Sequence, residues 1–82
     1  MAEIKVYGAD WCPLTRNALS HLDRIHVAYD YIDIDSNREA ASWVAERNNG
    51  KEKKPTIDVA GEVLTEPSGS ELEAVLKTKG LL

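Results

Sequence analysis

The sequence predicts a mixed α/β fold: a four-stranded sheet with helices on both faces, in the order β-α-β-α-β-β-α. Three observations lead there. Along the chain the apolar spacing switches between a period of two and a period of three to four. The first two period-two segments flank a helical one, which calls for parallel strands and a right-handed crossover. The last two are separated only by the tight turn Ala60-Gly61-Glu62, so they pair as an antiparallel hairpin.

Each element has its own justification. Ile4-Lys5-Val6-Tyr7-Gly8 alternates apolar and polar residues and stops at glycine, as a short strand does. Asp10-Trp11-Cys12-Pro13 opens a helix, with proline in the first turn where its missing N–H costs nothing. Leu14, Ala18, Leu22 and Ile25 form that helix's buried stripe, and Arg16, Asn17, Ser20 and Asp23 its opposite side. Val27 to Asp35 returns to period two, with Tyr29 and Tyr31 on one face and Ile32 and Ile34 on the other. Ser36 or Asn37 caps a second helix that runs to about Asn48, with Ala40, Val44 and Trp43 inward. Asn49-Gly50 ends it, since both tolerate a left-handed backbone. The hairpin strands are Thr56–Val59 and Val63–Thr65. Ser68 and Glu71 then stand at capping-box spacing before a last helix whose apolar residues are Leu72, Val75 and Leu76, stopped by Gly80.

Composition narrows the function. Residues 1–82 suffice for one small domain, and 43% apolar with 29% charged residues is ordinary for a soluble protein. No apolar run approaches the roughly 20 residues that span a bilayer. Met1-Ala2-Glu3-Ile4-Lys5 lacks the basic and apolar regions of a signal peptide, so the expected location is the cytoplasm. Net charge is −4 and the one basic cluster, Lys51, Lys53 and Lys54, is interrupted by Glu52. That argues against nucleic acid as a partner and leaves room for a small anionic ligand. A single cysteine excludes an intramolecular disulfide and a multi-cysteine zinc site within the chain, and His21 and His26 are too few to rescue a metal centre.

Cys12 is the residue with chemistry to offer. It stands between a strand end and a helix start, where backbone N–H groups and the helix dipole favour thiolate over thiol. Thr15 can turn its hydroxyl back to the sulfur, whereas Asp10 opposes a second negative charge. The alternative is a buried structural cysteine. Trp11 is either a flat contact for a partner or a cover for the helix start. Trp43 is expected in the core. His21 lies nine residues from Cys12 on the same helix, out of hydrogen-bond reach.

Trp11-Cys12-Pro13-Leu14-Thr15 after the first strand and Lys54-Pro55-Thr56 before the hairpin resemble the glutaredoxins, a family with the thioredoxin-like fold. Tyr31-Ile32-Asp33-Ile34-Asp35 and Leu64-Thr65-Glu66-Pro67-Ser68 extend the resemblance over nearly the whole chain. Within the family the similarity is greatest to the mycoredoxin and NrdH-like branch. The resemblance implies roles residue by residue. Cys12 matches the attacking cysteine and Pro55 the cis-proline facing it. Lys54 matches the residue whose backbone pairs with a bound thiol peptide, and Trp11 and Pro13 flank the sulfur. Glu66, Pro67 and Ser68 match the loop that holds a ligand carboxylate, with Ser68 at a helix N-terminus.

Four departures accompany the match. Thr15 replaces the family's second cysteine, Lys54 replaces a valine, Asn17 stands where relatives carry a basic residue, and Ala9 replaces a lysine. The expected protein is therefore a monothiol thiol–disulfide oxidoreductase with a C-P-L-T site. It has no tightly bound cofactor or metal, and its co-substrate is a low-molecular-weight thiol, either glutathione or a mycothiol-like compound. Its partners would be disulfide-containing or thiolated proteins, and its state a monomer. The alternatives are a carrier, in which two chains and two small thiols hold a [2Fe–2S] cluster that Pro13 would crowd, and a redox-inactive peptide-binding module.

Overall fold

The structure, a computed structural model, describes residues 3–82. Met1 and Ala2, the first two residues of the N-terminal segment considered above, lie outside the described residues. The elements are β1 (Ile4–Gly8), α1 (Pro13–Arg24), β2 (Asp30–Asp33), α2 (Arg38–Arg47), β3 (Thr56–Val59), β4 (Glu62–Thr65) and α3 (Gly69–Thr78). The four-stranded sheet has the order β2-β1-β3-β4. β1 runs parallel to β2 and antiparallel to β3, and β3 and β4 form the antiparallel hairpin. This is the mixed α/β architecture predicted from the sequence.

Strand alternation divides the core in two. Ile4 and Val6 of β1 and Ile57 and Val59 of β3 face α1 and α3, where they pack on Ala18, Leu22, Leu72 and Leu76. Tyr7 and Ile34 point the other way, onto Ala40, Ala41 and Val44 of α2. Fully burying a side chain such as Leu22 or Ile57 contributes about 1.5–3 kcal/mol, so these residues carry much of the fold of so short a chain. Trp43 covers the second cluster by stacking on Tyr7, with ring centroids 4.4 Å apart, and Arg47 lies 3.9 Å over its outer face.

The chain's turns follow its residues closely. Ala60 and Gly61 both have positive φ, 49° and 99°, which makes the two-residue hairpin turn that matches strand twist. Gly80, at φ 73°, ends α3, with Leu81 N–H donating to Leu76 O and Gly80 N–H to Lys77 O. The end of α1 has the same bonding, Val27 to Leu22 and His26 to Asp23, but the left-handed position is occupied by His26 at φ 60°.

Three expectations need correction. Leu14 is not part of the buried stripe: it is 53% exposed, and Thr15 is the wholly buried residue of that turn. With Cys12 as N-cap and Pro13 at the first helical position, the inward direction falls on Thr15. It packs under Gly8, where an added Cβ would come within 2.5 Å of Thr15 Cγ2 and Oγ1. The second strand is shorter than Val27–Asp35 because β1 pairs only with residues from Asp30 to Asp33. Val27 and Tyr29 still pack on the first cluster as chain leading into it. Ile25, finally, caps α1 and is half-buried at the edge of the core. Of the two proposed caps for α2, Asn37 is the one used, its Oδ1 accepting from Ala40 N–H at 3.0 Å.

Candidate functional site

The short loop between β1 and α1 puts Cys12 at the N-cap of α1, with extended backbone angles of φ −81° and ψ 117°. Its own N–H is used, donating to Ala9 O at 3.1 Å, and its carbonyl accepts from Arg16 N–H at 3.0 Å. The sulfur therefore faces the free N–H groups of the helix's first turn. Burial pushes the thiol up. The Thr15 N–H, the Thr15 hydroxyl, the Leu14 N–H and the Lys54 ammonium together outweigh burial, so Cys12 ionises below its ordinary value. A depressed thiol pKa at a helix N-terminus is how proteins make a cysteine nucleophilic near neutral pH.

Thr15 has two connections. Its Oγ1 accepts from Ala9 N–H at 3.4 Å and its hydroxyl donates to the Cys12 sulfur. Asp10, expected to oppose the thiolate, is engaged elsewhere, accepting from the Tyr31 hydroxyl at 2.7 Å. Burial first, and then this carboxylate, push the Tyr31 hydroxyl far above its usual range, which keeps it a donor.

Across from Cys12 stands the loop before β3. The Lys54–Pro55 bond is cis, and the Lys54 carbonyl oxygen lies 4.0 Å from Cys12 Sγ. Pro55 O accepts from Glu66 N–H at 2.8 Å, tying this loop to the one before α3. Lys54 Nζ lies 5.1 Å from the centre of the Trp11 ring, within cation–π range. Trp11 is 64% exposed, and its Nε1 donates to Asp35 Oδ2 at 2.7 Å. The ring is thus held between two loops rather than folded down over the helix start.

Two depressions meet beside the sulfur. A groove of about 310 Å³ runs over Cys12 between Trp11, Leu14, Glu66 and the Lys51–Lys54 loop. A crevice of about 300 Å³ lies between α1 and the start of α3, lined by Asn17, His21 and Arg24 on one wall and by Pro55, Pro67 and Ser68 on the other. Leu14 and Glu66 border both. The structure therefore brings Trp11, Cys12 and Lys54 to the groove and Pro55, Pro67 and Ser68 to the crevice, with Glu66 at the junction. Thr15 lies beneath them, and Pro13 is exposed at the first position of α1.

Ser68 is already engaged. Its N–H donates to Glu71 Oε1 at 2.9 Å and its Oγ accepts from Glu71 N–H at 3.1 Å. The Ser68 N–H and then its hydroxyl draw the Glu71 carboxyl below the usual range. This end of α3 thus carries a carboxylate of its own.

Sequence reasoning missed Asp35, which steadies Trp11 from 24 residues away; no local pattern signals such a pairing. It also missed the crevice wall. Asn17, His21 and Arg24 do recur at i, i+4 and i+7, and that spacing marks one helix face. Among the described residues no cluster of histidine, cysteine, aspartate and glutamate could hold a metal ion, and no helix is long and apolar enough to cross a membrane.

A lone activated cysteine at a helix N-cap, close to the carbonyl that precedes a cis-proline, beside a four-stranded mixed sheet, defines a thiol–disulfide exchange protein of thioredoxin-like fold. Comparison with known proteins narrows the class: the glutaredoxin family model matches residues 4–64, and the chain belongs to that family. It is 36% identical over 78 residues to mycoredoxin 1 of Corynebacterium glutamicum, covering 94% of this chain and 96% of that one. Among solved structures it resembles a glutaredoxin from Archaeoglobus fulgidus, with a TM-score of 0.76 and 22% identity over 94% of this chain and 88% of that one. It also resembles the buckwheat glutaredoxin–glutathione complex, with a TM-score of 0.68 and 15% identity over 98% and 73%. The chain is accordingly a thiol–disulfide oxidoreductase, with a low-molecular-weight thiol as co-substrate and disulfide-bearing proteins as partners.

Proposed function

We propose that the protein reduces mixed disulfides between proteins and a low-molecular-weight thiol by a monothiol route, with Cys12 as the sole nucleophile. The observation that carries this is the N-cap sulfur, whose ionisation is favoured by Thr15, Leu14 and Lys54 in a chain with a single cysteine. The Cys12 thiolate attacks the small-thiol sulfur of protein–S–S–R. The S–S bond breaks, Cys12–S–S–R forms, and the protein leaves as a thiolate that takes a proton from water. A second RS⁻ then attacks Cys12–S–S–R, releasing R–S–S–R and restoring the Cys12 thiolate. The net change is protein–S–S–R plus one RS⁻ giving protein–S⁻ plus R–S–S–R, a two-electron exchange that requires no resolving cysteine.

Thr15 holds the thiolate by hydrogen bond, while Lys54 supplies charge and a backbone edge. Trp11 and Pro13 shape the approach to the sulfur, and Pro55, Glu66, Pro67 and Ser68 bound the space for R. Arg24 on one wall and Glu66 at the junction give the crevice one charge of each sign towards R, whether R is glutathione or a mycothiol-like thiol. The protein acts as a cytoplasmic monomer and needs neither metal nor nucleic acid. Steady-state turnover of a peptide–S–S–R substrate by the reduced protein tests this. Activity that depends on the small thiol and vanishes in Cys12→Ser is expected, and turnover surviving that change overturns it.

A further inference from the structure

The groove over Cys12 combines exposed apolar side chains with a basic loop. One wall is the loop of Lys51, Lys53 and Lys54, facing the exposed ring of Trp11 and the exposed side chain of Leu14. These two are large apolar residues left open on either side of the sulfur. Exposed apolar surface rimmed by charge is the anatomy of a protein contact, because a small thiol cannot cover both residues and the lysine loop at once. Lysines outnumber carboxylates among the lining side chains, three against Glu52 and Glu66, on a chain whose net charge is −4. Lys54 is held at its post by the Trp11 ring, 5.1 Å away, and by the Glu52 carbonyl at 3.5 Å. The neighbouring crevice offers a separate space of similar volume, meeting the groove at Leu14 and Glu66. A mixed disulfide has two halves, and there are two depressions to receive them.

We infer that the groove is the docking surface for the protein half of the mixed disulfide, and that it selects clients with carboxylates flanking the disulfide cysteine. This rests on the monothiol function proposed above. Lys51 and Lys53 approach the client's carboxylates from one side while Trp11 and Leu14 cover its apolar atoms, leaving the crevice to the small thiol. Electrostatic matching of this kind raises encounter rate and discriminates partners more than it adds affinity. An exposed lysine–carboxylate pair is worth about 1.4- to fivefold, so two such pairs give an expected preference of about two- to 25-fold.

The test uses three hexapeptides with a central cysteine in mixed disulfide with 2-mercaptoethanol, flanked by glutamates, glutamines or lysines. The expected kcat/KM order is glutamate above glutamine above lysine. The spread should shrink towards unity in 0.5 M salt and in the doubly substituted Lys51→Gln/Lys53→Gln protein. A second measurement needs no turnover: Cys12→Ser is titrated with the same peptides carrying serine for cysteine, following Trp11 fluorescence. Tighter binding of the glutamate peptide, lost with Lys51→Gln/Lys53→Gln, supports the docking surface even if no substrate is turned over and the monothiol function itself falls. Equal kcat/KM and equal binding for the three peptides overturn it, as does a preference that survives loss of the two lysines. So does a charge preference that follows the small thiol instead of the peptide.

Discussion

Gly8 is the point at which the sheet and the reactive cysteine are mechanically joined, and Gly8→Ala tests that joint. A Cβ on Gly8 would lie 2.5 Å from both Thr15 Cγ2 and Thr15 Oγ1 and 3.1 Å from Thr15 Cβ. Thr15 is wholly buried, so it has no solvent side to retreat to. Overpacking of this kind costs about 1–3 kcal/mol. For a chain of this size that lowers the melting temperature by about 4–8 °C for each kcal/mol. The hydroxyl that supports the Cys12 thiolate must move as well, so the alkylation profile of Cys12 shifts to higher pH. Urea unfolding of the reduced protein measures the stability, and a double-mutant cycle identifies the cause. Thr15→Ala removes both atoms at 2.5 Å, so Gly8→Ala should cost far less in that background, with a coupling energy of about 1 kcal/mol or more. Strict additivity of the two substitutions refutes the contact as the source of the loss.

Further predictions follow from the same structure. Thr15→Val keeps the side-chain volume but removes the hydroxyl donated to Cys12, so iodoacetamide alkylation against pH should give a higher apparent pKa than wild type; an unchanged value removes Thr15 from the site. Because the folded pKa of Cys12 is depressed, the unfolded chain holds its proton to higher pH. The stability due to the thiolate is therefore full above the unfolded pKa and lost as pH falls through the folded one. The stability of the reduced protein minus that of Cys12→Ser should accordingly rise with pH across that window, and a flat difference in urea unfolding contradicts it. His26→Gly relieves a left-handed backbone position and should stabilise the protein by up to about 1 kcal/mol, read as a higher melting temperature.

Much of this fold was legible because its signals are local. The capping box of Ser68 and Glu71, the left-handed Gly80 and the Ala60-Gly61 turn each act within a few residues, and the structure uses all of them. The alternation of Tyr29 and Tyr31 against Ile32 and Ile34 survives even though the ladder covers only Asp30–Asp33, since side-chain direction persists where hydrogen bonding stops. Leu14 was misplaced because helical periodicity gives a face but not its phase at the first turn. There the phase is set by Cys12 as the cap and by the space over Gly8, both tertiary facts. The place of Cys12 at the start of α1 was legible from the chain, and the cis bond at Pro55 from its family resemblance. The Trp11–Asp35 bond and the clasp of Lys54 on Trp11 were not, because each joins loops far apart in sequence.

The central claim is that Cys12 attacks the small-thiol sulfur of a mixed disulfide and carries that thiol before a second one removes it. Intact-protein mass spectrometry tests it most directly, on reduced protein mixed with a peptide–S–S–R substrate and quenched with acid before free RSH is added. A mass increase equal to R alone, located at Cys12 and reversed by RSH, is the predicted result. An increase equal to the peptide, or no adduct while peptide thiol is still released, contradicts the account.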